Sequence, residues 1–150
     1  MIKYIFLIIL FLSNISFSNA NNWFISSGGY SSSKFSNLKQ INKDNIDKLN
    51  TAWVYKNGFT NDKSKSFSNN QATPIFTGRS LIVTSLDNYI ISLDPESGKE
   101  NWRFKLTSLA GKRGMTFKDG NIFIPSLEGV YVLDENNGRL NKRFGKSGLI

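Results

Sequence analysis

Residues 93–104 read LDPESGKENWRF, and residues 133–144 read LDENNGRLNKRF. Leu, Asp, Gly, Arg and Phe recur at the same places, 40 residues apart. The first half of each stretch is a turn. Asp94 can accept bonds from turn amides, Pro95 fixes φ at the first corner, and Gly98 permits a left-handed residue. The second copy keeps the frame as Asp134 and Gly138.

Working outward, the segments before each turn match as well. In the first copy, ATPIF (72–76), SLIVTS (80–85), NYIISL (88–93) and KENWRF (99–104) read as four short strands. In the second, RGMTF (113–117), NIFIP (121–125), GVYVL (129–133) and RLNKRF (139–144) take the same roles. The middle strands are continuously apolar, as expected of a sheet covered on both faces. Four antiparallel strands every 40 or so residues are the mark of β-propeller blades. An ordinary sandwich with two similar hairpins is the alternative. The fold class is all-β either way, with a first blade over 72–105 and a second over 113–145.

Trp102 lies on the outer strand just after its turn. Burying a Trp removes roughly 150–250 Å² from water, on the order of 4–6 kcal/mol gross at about 25 cal/mol per Å². That suffices to dock one blade on the next. Its counterpart is Lys142, so the second junction must be held differently. Two blades cannot close a ring, which takes at least about four, and the chain reads as a propeller truncated at residue 150.

The blades are preceded by other segments. Residues 1–20 hold Lys3, nine unbroken apolar residues from Tyr4 to Leu12, and Ser18-Asn19-Ala20. This is the pattern of a secretory leader cut after Ala20, too short for the roughly 20 residues that span a bilayer. Residues 21–56 form an entry segment. In it Asn42 is placed to cap a short helix with Ile46 and Leu49 on one face, and TAWVY (51–55) reads as a strand with Trp53 and Tyr55 on one side. Residues 57–71 are a polar loop.

The chain has no Cys and no His, which excludes disulfides, thiolate metal sites and imidazole bases. Net charge is +8, or +7 once the leader removes Lys3. The Lys residues are scattered among Asn and Ser without an aromatic–basic stripe, a pattern that argues against nucleic acid as partner.

Residues 23–150 resemble the N-terminal region of the pyrroloquinoline-quinone (PQQ)-dependent dehydrogenases, eight-bladed quinoprotein propellers. The resemblance rests on FSNLKQINKDNIDKLNTAWVY (35–55), where Phe35, Leu38, Gln40, Ile41, Asn42, Asn45, Leu49, Ala52, Trp53 and Tyr55 match the family's entry segment. QATP (71–74), the 93–104 repeat, Arg113-Gly114 and RFGKSG (143–148) follow in the family's order. It implies oxidation of an alcohol or sugar in the periplasm, with electrons passed through PQQ to a respiratory acceptor; no apolar run in the mature chain is long enough for a transmembrane span. It places the quinone on the propeller axis with Ca²⁺, a Lewis acid. It implies cofactor contact by Gln71 and by Arg113, whose guanidinium suits a carboxylated quinone. The family's catalytic Asp and Ca²⁺ ligands would lie beyond residue 150. The chain departs from the family at Thr107-Ser108, where alcohol-oxidising members carry adjacent cysteines. It departs also at Leu109, where sugar-oxidising members often have His, and at Tyr89, where a basic residue is expected. Two other readings stand beside the enzyme: a non-catalytic propeller scaffold, and a diverged relative that has lost its site.

Overall fold

The computed structural model describes residues 23–56, 71–111 and 113–150. The expected leader (1–20) and nearly all of the expected 57–71 loop lie outside them.

Two antiparallel sheets form the body. The first has order β1-β2-β3-β4 from Ile75–Phe76, Leu81–Thr84, Tyr89–Leu93 and Glu100–Lys105. The second has order β5-β6-β7 from Thr116–Lys118, Asn121–Pro125 and Val130–Asp134. Each strand is next to its neighbour in sequence, as tight hairpin turns require. The registers are equivalent: Ile75 opposes Ile82 in the first sheet, and Thr116 opposes Phe123 in the second.

The apolar middle strands pack sheet on sheet. Ile75, Ile82 and Ile90 of the first unit share one cluster with Met115, Ile122, Ile124, Tyr131 and Leu133 of the second. Trp102 and Phe104 of β4 pack against the same cluster. Stacked blades are therefore the arrangement here, and the single-sandwich alternative is set aside.

The Trp of the outer strand closes the junction. The Trp102 indole N–H donates to the Glu135 carbonyl at 2.7 Å, inside the 134–138 turn of the next unit. Its ring lies against Gly138, where a Cβ would come within 2.4 Å of ring carbon. Gly138 thus serves twice, through its φ of +67° and through its lack of a side chain. The Glu135 carboxylate, only 4% exposed, turns back to accept from the Thr77 hydroxyl and from Arg79 at 3.1 Å. A buried carboxylate is tolerated only with such partners.

The entry segment differs from its expected form. Residues 51–56 belong to no sheet, although their side chains dock as those of an outer strand would. Trp53 donates its indole N–H to the Pro95 carbonyl at 3.1 Å, and its ring lies against Gly98 at the distance seen between Trp102 and Gly138. Tyr55 bonds to Glu100, and Arg103 donates to the Tyr55 hydroxyl at 3.0 Å. Among the described residues no neighbouring strand supplies backbone bonds to them. The expected helix is one 3₁₀ turn, Ile46–Lys48, with Asn45 rather than Asn42 at its start. The Asn42 side chain instead accepts from the Asp44 amide at 2.9 Å. Ile46 and Leu49 are both more than half exposed, so no buried face stabilises a longer helix.

The fourth strand expected over 139–144 does not form as one piece. Leu140 bridges Leu133, and the Asn141 amide donates to the Val132 carbonyl at 2.8 Å. The chain then turns away. It returns at residues 148–150, where the Val132 amide donates to Gly148 at 2.8 Å and Val130 and Ile150 exchange bonds at 2.9 and 3.0 Å. Residues 142–147 are an excursion, pinned where the Phe144 ring meets Phe123 edge-on at 5.7 Å. The outer edge of β7 is thereby satisfied within the chain, and not bare as two isolated blades would leave it.

Candidate functional site

Strand direction decides which groups share an end of the sheets. β1 and β5 are the innermost strands, and each pairs antiparallel with the strand after it. Their starts therefore lie beside the ends of β2 and β6. Gln71, four residues before Ile75, and Arg113, three before Thr116, approach the same end of adjacent sheets. The β2–β3 and β6–β7 turns and residues 107–111 lie there too. The 94–98 and 134–138 turns occupy the opposite end.

The inner edges at this end are crossed by the N-terminal segment. The Phe76 amide donates to the Trp23 carbonyl at 2.7 Å, the Phe117 amide to the Phe24 carbonyl at 2.8 Å, and Ile25 bridges Thr116. Residues 23–25 thus tie the two innermost strands together. No feature of the sequence marked this; only the pairing of two distant strands reveals it.

Arg113 lies exposed on the rim of a recess of about 370 Å³ lined by Ile25, Ser26, Gly111, Gly114, Met115, Thr116 and Pro125. Gly114 makes this geometry possible. Its φ is +119°, and a Cβ would meet the Ser26 Cβ at 3.1 Å, so a larger residue would push the segment, and Arg113 with it, off the recess. Gly111 fixes the other side by donating to the Pro125 carbonyl at 2.6 Å. Neither Arg113 nor Gln71 makes a side-chain hydrogen bond or ion pair among the described residues, and no bond joins them. Gln71 is exposed and does not line the recess.

A second polar group stands nearby. The Thr107 and Tyr131 hydroxyls are 2.5 Å apart, and Glu128 accepts from Tyr131 at 3.0 Å and from Thr107 at 3.3 Å. Tyr131 is buried and packs against Phe104. Beside it, the Ser108 hydroxyl oxygen is buried without a partner among the described residues. Such an orphan costs on the order of 1–3 kcal/mol until a partner arrives. In the sequence Thr107-Ser108 stand out only as a departure from a family pattern, and nothing local marks the network they belong to.

The match to known proteins covers this whole arrangement. Residues 23–150 match the family model described as the glucose/ethanol/alcohol dehydrogenase β-propeller domain of the PQQ proteins. This chain belongs to the PQQ-dependent dehydrogenase family. Among curated relatives, the quinoprotein glucose dehydrogenase A of Acinetobacter calcoaceticus is 27% identical over 148 residues, covering 78% of this chain and 18% of that protein. Methanol dehydrogenase [cytochrome c] subunit 1 of Methylorubrum extorquens is 29% identical over 138 residues, covering 85% of this chain and 21% of that one. A solved europium-containing methanol dehydrogenase superposes with a TM-score of 0.64 at 23% identity, over 79% of this chain and 22% of its own. That likeness is one of fold. The chain spans about a fifth of the length of these relatives.

The donor set of this quinoprotein chain suits part of a carboxylated quinone. A free guanidinium at a recess, a free amide at the same end of the sheets and an orphaned buried hydroxyl are all able to donate to anionic or carbonyl oxygens. Among the described residues no three Asp, Glu, His or Cys side chains converge as a metal site would require. The same residues include no helix long and apolar enough to cross a membrane.

Proposed function

We propose that this chain supplies the entry segment and first two blades of a periplasmic PQQ-dependent dehydrogenase that oxidises an alcohol or a sugar. Within that enzyme, Arg113 holds a carboxylate of the quinone by a charge-assisted hydrogen bond, and Gln71 donates its amide from the adjacent blade. The quinone, when bound, supplies the two-electron redox chemistry. This chain's residues bind and orient. Ca²⁺, where used, is held by residues other than those described. Export by the 1–20 leader brings the protein to the compartment in which a respiratory acceptor takes the electrons.

The observation that carries this reading is the Arg113 guanidinium, unpaired among the described residues, beside the recess at the start of β5. The test is titration of the 150-residue chain with PQQ, followed by tryptophan fluorescence. Saturable quenching is expected, weakened about tenfold by Arg113→Gln, as loss of one charge-assisted bond implies. Lys118→Gln removes the same charge at the far end of β5 and should leave binding unchanged. Equal loss in both variants, or no saturable binding by the wild-type chain, refutes the assignment. The chain alone should not reduce dye with alcohol or glucose after addition of PQQ and Ca²⁺; turnover would show that the base lies within these residues.

A further inference from the structure

The two matching turns differ at one reactive position. The corner before the glycine is Ser97 in the first unit and Asn137 in the second, so the second turn carries an Asn-Gly pair. Such a pair can react with itself, because glycine puts no side chain between its amide nitrogen and the Asn carboxamide. The electrophile is in position. Asn137 Oδ1 accepts from the Arg139 amide at 2.9 Å, which folds the carboxamide forward over the Gly138 peptide and polarises its carbonyl. The nucleophile is held back. The Gly138 amide donates to the Asp134 carbonyl at 2.9 Å, Gly138 is buried, and the Trp102 ring of the first unit lies on it. Asn137 itself is exposed, as is Ser97, whose unit is followed directly by the second. The exposure therefore belongs to the corner of the turn. In the first unit the Ser97 hydroxyl donates to Asp94 at 2.7 Å and offers no carboxamide.

We propose that Asn137-Gly138 is a self-modification site gated by the junction with Trp102. When the junction opens and Asp134 releases the Gly138 amide, that nitrogen gives its proton to water and attacks the side-chain carbonyl carbon of Asn137. A carbon–nitrogen bond forms, closing a five-membered imide, and the carboxamide nitrogen takes up a proton and leaves as ammonia. Water then opens the ring at either carbonyl. One product has an aspartyl group at position 137. In the other the main chain runs through the former side chain and is one methylene longer. The only co-reactant is water. Both products add a negative charge, and the longer one displaces Gly138 from the place where its missing Cβ makes room for the Trp102 ring. The turn then no longer recloses as before, so the site keeps a permanent record of an opened junction. The inference is independent of the quinone assignment.

The test is incubation of the whole chain at mildly alkaline pH, followed by mass spectrometry of the tryptic peptide 119–139. Conversion is read as the mass gain of amide to acid, located by fragmentation, with two chromatographic products for the two ring openings. The chain unfolded in guanidinium chloride gives the ungated rate. Folded wild type should convert at Asn137 at least about tenfold more slowly, since only the open fraction reacts. Trp102→Phe keeps a ring over Gly138 but loses the bond to the Glu135 carbonyl, and should convert several-fold faster than folded wild type. Trp102→Ala should be faster still; where it fails to fold by circular dichroism, Trp102→Phe carries the test. After incubation, Trp102→Phe should melt at a lower temperature than before, and the same chain with Asn137→Ser, which copies the first turn, should not. Equal rates in folded and unfolded wild type would mean that the junction does not gate the site and would overturn the inference. So would a folded Trp102→Phe chain that converts no faster than wild type, or an unfolded chain that does not convert at Asn137. Equal loss of melting temperature with and without Asn137→Ser would overturn the claim that conversion keeps the junction from reclosing.

Discussion

The first unit finishes its sheet with an unbroken outer strand, Glu100–Lys105, whereas the second pairs residues 139–141, leaves the sheet, and returns at 148–150. The turns before these strands are nearly the same in sequence and geometry. Gly98 and Gly138 have φ values of +68° and +67°, and each carries a Trp ring from the unit before it. The difference begins where Trp102 is replaced by Lys142. An outer strand with an indole on it is held on both edges, by its ladder and by the next unit. An outer strand with an ammonium there has only its ladder, and the chain is free to leave. Conserved turn chemistry sets where a strand begins; the side chains beyond it decide whether it continues.

Breaking the first junction should have the largest effect. Trp102→Ala removes ring contact with Gly138 and the hydrogen bond to Glu135, and is expected to cost about 3–4 kcal/mol in urea unfolding. Trp53→Ala acts on a segment that belongs to no sheet and should cost less than half as much. Equal losses would mean that the entry segment is as integral as a blade.

The same junction can be disturbed from the other side. Gly138→Ala must accommodate a Cβ within 2.4 Å of the Trp102 ring at a positive φ, and about 2–3 kcal/mol is expected. Gly120→Ala is the control. Its φ is also positive, at +73°, but nothing lies within 4 Å of the added carbon, so about 1 kcal/mol of backbone strain is all it should show. The gap between the two isolates the Trp contact, and circular dichroism melts of both variants measure it.

What was legible in the sequence follows the same division. The strands with continuous apolar runs appear where periodicity placed them, because Ile82, Ile90, Ile122 and Leu133 can be satisfied only inside a stack. The turn residues were legible for the same reason: Asp94 and Gly98 are local chemistry. The fourth strand of the second unit was not, since RLNKRF resembles KENWRF at Asn, Arg and Phe while differing at the two positions that hold a strand down. The entry segment was misread for a related reason. TAWVY has strand composition, but a strand is a relation to a neighbour, and none stands beside it among the described residues. At the candidate site, Arg113 was visible through its Gly neighbour. The Thr107–Tyr131–Glu128 network was not, because 24 residues separate the two hydroxyls and no local pattern joins them.

The contact between Tyr55, Glu100 and Arg103 allows the smallest and most selective test of how firmly the entry segment is held. The Arg103 guanidinium, bonded at 2.5 and 2.7 Å, holds the Glu100 carboxyl below its ordinary value of 4.5. Partial burial opposes this, and the Tyr55 hydroxyl adds to the lowering. A depressed carboxylate stabilises the fold fully above its unfolded value, and that contribution is lost as pH falls through the lower folded value. Both partners are substantially exposed, so the effect is modest. Glu100→Gln should lower the melting midpoint by about 1–2 °C at pH 7, and the difference from wild type should narrow as the pH falls below 4.5. Asp94, whose carboxyl is also held low by bonds from Ser97, titrates in both proteins and cancels from the comparison. A difference that stayed unchanged down to acid unfolding would mean that the shape of the Tyr55 contact, and not the Glu100 charge, ties the entry segment to the first blade.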